Sequence, residues 1–524
     1  MPDLFNTPIA GINSLVTKTE LASADGAGLV GAIQSGAGAT ARTVQAKLRE
    51  TVSVRDFGAV GDGATDDTAA IQAAIDSLGA AGGTVTIPNG ARCLVDGANL
   101  LVRRNVSLVG PHQFMGSPGN NTFAPYGSIG GALILNSART ITMQGGSALK
   151  GLLIHRKGMT FPASDASAFA GTAITADGDD ITVDGVMALG FAVAYTSANC
   201  QRPTLVNFRF DCIDGVLINN CADIARLIDC HGWPFATIAS GNISGYKRAG
   251  TAFKFTGLND WSKATNCFSY GYFRGFHVVD GEHVSFIGCG ADNTPPYTPD
   301  AHSGAIGFLA TGAANDTRFI NCQGAAHLHT YYVETLAGKR TRIDQSDSWG
   351  VQTGGNSVLV VSGDASVVGG AQRQGQHGVA VNSAASRVFV DGVRFDDLTG
   401  QPVLGLTPTS NLTIGQNNDY GNLTGSAGNG ADVSLPAVAS ASALALPMTG
   451  GVFRVTGTTG ISTAANGASG RRVTLLFEGA LTVTHGTGAN AIRLSGATNF
   501  SVTAGGSLTL VHDGTRWNEV GRSA

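Results

Sequence analysis

The sequence predicts an all-β solenoid, and three observations carry that expectation. Glycine is abundant, at 74 of 524 residues, while charged residues make up only 13%. Hydrophobic residues reach 43%, enough to bury a large core. From about 84 to about 415 the chain repeats every 20–25 residues or so, with strands in each repeat and no helix. A coiled coil would be rich in Ala, Glu, Lys, Leu and Arg, and collagen would place glycine at every third residue. Neither pattern is present.

Residues 1–50 are small and polar, with too few large apolar groups for a core of their own, and read as an arm ordered against something else. A helix is expected over 66–79. Asp66 and Asp67 favour its N-terminus, Ile71, Ile75 and Leu78 form one apolar stripe, and Gly79 ends it. The following strand Thr84-Val85-Thr86-Ile87 opens the repeats, and the helix would cap their unpaired edge.

The repeats align on a corner of small or amide residues. "SKATNCFSYGYFRGFHVVD" starts at Ser262, "HVSFIGCGADN" at His283 and "DTRFINCQGAAHLHTYYVE" at Asp316. Stacked coils about 4.8 Å apart would pair in parallel and line like residues into ladders, here Asn266-Cys267, Gly288-Cys289, Asn321-Cys322 and Gly369-Gly370. The alignment also sets Gln345 level with Cys322. Two coils are interrupted after the corner, at about 231–250 and 291–304, on one side and two coils apart. Long loops on one face of a rigid scaffold are where binding usually sits. From about 416 the pattern becomes short alternating strands with Gly turns, an antiparallel β domain over 416–524.

Lys+Arg 33 against Asp+Glu 37 gives a net charge of −4, which argues against a nucleic-acid binder. No apolar run is long enough to span a bilayer, and the N-terminus lacks the basic and apolar blocks of a signal peptide. The eight cysteines form no C-x-x-C pair and mostly end apolar runs, so buried thiols are expected, in a chain made in a reducing compartment.

The stretch Val52-Ser53-Val54-Arg55-Asp56-Phe57-Gly58-Ala59-Val60-Gly61-Asp62-Gly63-Ala64-Thr65-Asp66-Asp67-Thr68, with Gly83-Thr84-Val85-Thr86-Ile87-Pro88, resembles the start of the pectate-lyase-like right-handed β-helix superfamily. The segment before it is similar to the particle-proximal junction of bacteriophage tailspikes, and "GSLTLVHDGTRWNEVGRS" to the ends of phage tail proteins. The resemblance implies a right-handed parallel β-helix over 51–415 between a virion-attachment arm (1–50) and a C-terminal β domain for trimerisation or glycan binding. It further implies a homotrimer joined to tail or baseplate proteins, made in the bacterial host cytoplasm, that binds and usually cleaves surface polysaccharide. It carries no catalytic residue over by motif.

Glycoside hydrolysis needs two carboxyls, about 5–5.5 Å apart for retention and about 6.5–9.5 Å for inversion. Asp292 and Asp347 project on roughly one face two coils apart, and Asp300 sits in the loop overhanging them. These three are the acid/base candidates, with Asp344 in reserve, against the competing reading of solvated turn aspartates. His327, His329 and Tyr331 alternate on one strand, as do Tyr270, Tyr272 and Arg274. Aromatic faces and guanidinium suit sugar rings and acidic sugars, so Tyr270, Tyr272, Arg274, His327 and His329 join Trp233 and Trp349 as substrate-binding candidates. A polar outer strand or trimer packing would explain the same residues. Asp260, Asp280 and Glu282 fall at the opposite turn and read as solvated, while Asp211, Asp214 and Glu334 stay undecided. No cofactor or metal is implied, since neither a dinucleotide fingerprint nor zinc-site spacing is present. Hydrolysis is favoured over β-elimination because acids outnumber basic side chains near the inserted loops. A non-enzymatic glycan-binding or structural spike is the remaining alternative.

Overall fold

The computed structural model describes residues 16–111, 131–159, 163–237, 247–293, 303–383, 385–405, 411–415, 417–421, 437–447 and 451–523. From residue 52 to 420 the chain winds as a parallel β-helix, with strands gathered into one 14-stranded and one 24-stranded sheet. One turn of the rod runs through Lys263–Thr265, Phe268–Tyr270 and Tyr272–Val279. Ser285–Ile287 then stacks in parallel on Lys263–Thr265 and begins the next turn.

The corner that leaves the 14-stranded sheet is made by left-handed residues, among them Asn207, Asp229, Asn266, Gly288, Asn321, Gln345 and Gly369, with φ between 50° and 67°. Glycine, Asn and Asp reach this conformation at least cost, which is why the corner reads as small and amide residues. The next residue points inward. Cys230, Cys267, Cys289 and Cys322 are buried there, and all eight cysteines are free and buried as expected. Burial, with the nearby Asp67 carboxylate, pushes the Cys93 thiol up to about 12.

The register corrects the alignment made from sequence. Ile320 pairs with Asp344, so Gln345 stands level with Asn321, and Ser346 takes the place of Cys322 one coil later. The Ser346 hydroxyl donates to the Phe319 carbonyl and accepts the Cys322 N–H, linking adjacent coils from inside.

Inside the rod, Phe253, Phe276, Phe308 and Tyr331 occupy one register position on four successive coils. Their rings stack at 4.8, 5.0 and 5.1 Å between centroids, within 15° of parallel. The helix Thr68–Ser77 closes the N-terminal end, burying Ile71, Ala74 and Ile75 in the main core. Its Gln72 side chain accepts from the Leu101 N–H and donates to the Leu101 carbonyl, standing in for a missing strand. Asp67 is not a side-chain cap for the helix. Its carboxylate accepts the N–H groups of Val60 and Gly61 and so ties down the loop that the motif encodes.

A second hydrophobic core spans Val438 to Trp517. Its six-stranded sheet is antiparallel through Arg472–Phe477, Ser507–His512 and Trp517–Ser523. Ala437–Ala439 and Val452–Thr456 add to it in parallel, so the sheet is mixed. Among the described residues, no helix is long and apolar enough to cross a membrane.

Candidate functional site

The strand after each corner alternates one inward residue with two outward ones, and parallel pairing sets the outward residues in two columns along the rod. Phe268, Gly290, Gln323 and Asp347 form the first. Tyr270, Asp292, Ala325 and Trp349 form the second, two residues further along the strand. Trp233 extends the second column at the other end, because His231 and Gly232 pair with Phe268 and Ser269. Its indole stacks on Tyr270 at 4.4 Å and 28°. The small side chains at Gly290 and Ala325 leave a depression of about 350 Å³ lined by Phe268, Asp292, Gln323 and Trp349 with the Asn266 and Asn321 corners. A second depression of about 490 Å³, with Arg209, Asp229 and His231, shares Asn266 and Phe268 with the first. Together they run along one corner for seven coils, from Asp184 to Trp349, roughly 29 Å at the spacing of paired strands.

Asp292 lies in this groove between Tyr270 on the coil before and Ala325 on the coil after. Burial raises its carboxyl to about 6, opposed only by the Asn293 N–H, with no cation near enough to lower it. A carboxyl raised toward neutrality keeps a larger protonated fraction there than an ordinary aspartate, which is what a general acid requires. Trp349 is 40% exposed two coils on, about 10 Å along the rod.

The wall beyond Trp233 is built on a charged pair removed from water. Asp211 and Arg248 are both fully buried, with Arg248 Nε donating to the Asp211 carboxylate at 2.6 Å. The second Asp211 oxygen accepts the Ala236 N–H at 2.6 Å. The base of the 231–250 insertion is thereby pinned onto a small apolar cluster of Phe169, Met187, Leu189 and Phe235, against which Trp233 packs.

The structure sorts the residues singled out from sequence. Asp292, Tyr270, Trp233 and Trp349 come together along one column. Asp347 faces outward on the same strip but in the neighbouring column, two residues and two coils from Asp292, or about 12 Å between Cα atoms. Its carboxylate accepts the Ala371 N–H at 2.8 Å, from the coil on the side away from Asp292. The expected close pair with Asp292 is not formed, because the alignment was one residue out. Asp300 lies outside the described residues. Asp344 faces outward on the 14-stranded sheet, away from this groove.

Tyr272 does not share a face with Tyr270. Gly271 at φ 75° turns the chain between them, and Tyr272 enters the core, its hydroxyl donating to the Cys212 carbonyl. Arg274 lies beyond that turn with its guanidinium over the Phe273 ring. His327 and Tyr331 are buried as well. Thr330 and Tyr331 are buried in succession, which breaks the alternation there, and burial pushes the His327 imidazole down to about 3, a neutral core histidine. His329 is half-buried and its Nδ1 accepts the Asn356 N–H, a tie between coils. Of the undecided acids, Asp214 accepts the Thr251 N–H and Glu334 accepts the Tyr332 hydroxyl. Phe268, Gln323 and Arg209 line the groove without having been singled out, and Asn266 and Asn321, read from sequence only as corner-ladder residues, line it too. Their signal was available in the corner alignment, as the residues at the corner and two positions past it.

A family model described as rhamnogalacturonase A/epimerase, pectate lyase-like matches residues 51–151. The tailspike protein of E. coli bacteriophage HK620, solved as a double mutant, superposes with a TM-score of 0.54 at 14% identity, covering 90% of this chain and 88% of that one. The chain shares the parallel β-helix fold of that protein. A pentasaccharide complex of the same phage protein gives a TM-score of 0.52 at 14% identity over 90% and 89% of the two chains. Among curated proteins, the mannuronan C5-epimerase AlgE3 of Azotobacter vinelandii is 55% identical over 65 residues, 11% of this chain and 4% of its own length. Alginate lyase 7 of the same organism is 52% identical over 65 residues, 8% of its length. The chain thus spans less than a tenth of the curated relatives it matches.

Proposed function

We propose that this protein is a phage tailspike that binds a bacterial surface polysaccharide along the groove and depolymerises it, with Asp292 as general acid. The observation that carries the reading is Asp292 itself. It is a half-buried, unpaired carboxyl in an open groove, with the Trp233–Tyr270 stack on one side and Trp349 on the other. Aromatic faces hold sugar rings, the amides at Asn266, Asn321 and Gln323 suit their hydroxyls, and the length fits five or six sugars at about 5 Å each. The fold shared with a tailspike, the family-model match at 51–151 and the short matches to polysaccharide-modifying enzymes support the same class.

Hydrolysis is favoured over β-elimination. Elimination needs a base to remove a proton beside a uronate carboxylate, and a carboxyl raised toward neutrality is better suited than an ordinary aspartate to donating to a leaving oxygen. The spike acts as a homotrimer carried on the virion, with residues 1–50 meeting tail or baseplate proteins and 416–524 joining the subunits or holding glycan. Three chains of 53.2 kDa should sediment together near 160 kDa. The test is reducing-end release from the polysaccharide of a strain whose lawn the protein clears, read beside absorbance near 235 nm. New reducing ends without absorbance support hydrolysis. An absorbing product supports the lyase, and saturable binding with neither supports an adhesin.

A further inference from the structure

We infer that the sugar seated beside Asp292 is uncharged, so that acidic residues of the glycan are accepted only at the two ends of the groove. The inference rests on the reading of this groove as a polysaccharide site and names the class of sugar its centre takes.

The centre offers a saccharide aromatic faces, amides and one carboxyl. Among the described residues lining the Asp292 depression, none is Lys or Arg. Positive side chains stand further off. Arg209 lines the distal depression, beyond the coil that carries Phe268. At the other end, Arg373 stands level with Trp349 on the next coil, where Asp396 engages it at 3.9 Å. Among the described residues along this groove, the cations therefore stand toward its two ends and none lines the middle.

The electrostatics follow from that placement. No cation near Asp292 offsets the cost of burying its charge. A uronate or sialate carboxylate brought within about 6 Å would add a second negative charge to a site already short of counter-charge. At the effective dielectric of a protein surface that repulsion, capped near pH 7 by the cost of protonating Asp292, weakens binding on the order of 10-fold. It also drives Asp292 further toward its protonated form, so an acidic sugar here would be bound only as the acid. A neutral hexose or deoxyhexose meets no such opposition, and its ring packs on the same aromatic faces.

The test uses the full chain and matched glycans. Uronate-containing bacterial polysaccharides and their carboxyl-reduced, neutral counterparts are compared by tryptophan fluorescence and by reducing-end release. On each cleaved polymer, borodeuteride labelling identifies the sugar at the new reducing end. The expected result is a neutral sugar at that end and binding of the reduced polymer about tenfold tighter. Asp292→Asn should narrow that gap by improving affinity for the acidic form. A uronate at the new reducing end, or tighter binding of the acidic form by the unmodified protein, overturns the inference and leaves the polysaccharide reading standing. If no polymer of either kind is bound or cleaved, the polysaccharide reading itself falls, and the inference with it.

Discussion

Asp292 shows how a single side chain trades stability for a chemical role. In the unfolded chain its carboxyl has the ordinary value of 3.8, and in the folded protein it sits at about 6. The folded state therefore binds more protons than the unfolded state between these values, and stability falls as pH rises from about 4 to about 6. Above that window the penalty is fully present and constant. Asp292→Asn removes it, so the variant should be more stable at pH 8 by up to about 3 kcal/mol and no more stable at pH 3. Paired urea melts at the two pH values check this. Activity depends on the same proton, so kcat should fall as pH rises through about 6, and a profile flat across that range would contradict the acid role.

At the scale of elements, the groove wall depends on a buried ion pair and the rod on its stacked rings. Arg248→Met strands the Asp211 carboxylate in an apolar site and should cost about 3–5 kcal/mol. Replacing both partners by apolar side chains should recover most of that loss. Because the pair anchors the insertion carrying Trp233, the double variant should weaken glycan binding more than it lowers kcat. Phe276→Ala removes one ring from the stack of four and should cost about 3–5 kcal/mol in a urea melt, with glycan affinity unchanged in the remaining folded protein.

The same elements explain what could be read from sequence. The helix, its apolar stripe and the corner ladder were legible because Ile71 and Ile75, and Asn266 and Asn321, each sit where one local rule decides. Asp292, Tyr270, Trp233 and Trp349 were legible because each lies at or just past a corner. The alternation rule failed at Tyr272, where the left-handed Gly271 resets which side faces out, and Gly271 gave a readable hint of that turn. It failed at Tyr331 because Thr330 and Tyr331 are buried in succession, an irregularity that no residue type there announces. The Asp211–Arg248 pair joins residues 37 apart in sequence through an insertion of no fixed length, so no periodicity points to it.

For the whole molecule, a parallel rod converts sequence distance into axial distance at about 4.8 Å per coil. Residues 233, 270, 292 and 349 become neighbours along one line, and a groove of roughly 29 Å exists only because the coils keep register over seven turns. This line is proposed to cleave a polysaccharide through Asp292. The most direct measurement is reducing-end release by the unmodified protein and by Asp292→Asn on the polysaccharide of a susceptible strain, with binding followed in parallel by tryptophan fluorescence. The account predicts a loss of at least 1,000-fold in kcat, about 4 kcal/mol of barrier, with binding retained. Unchanged turnover in the Asn variant would contradict it.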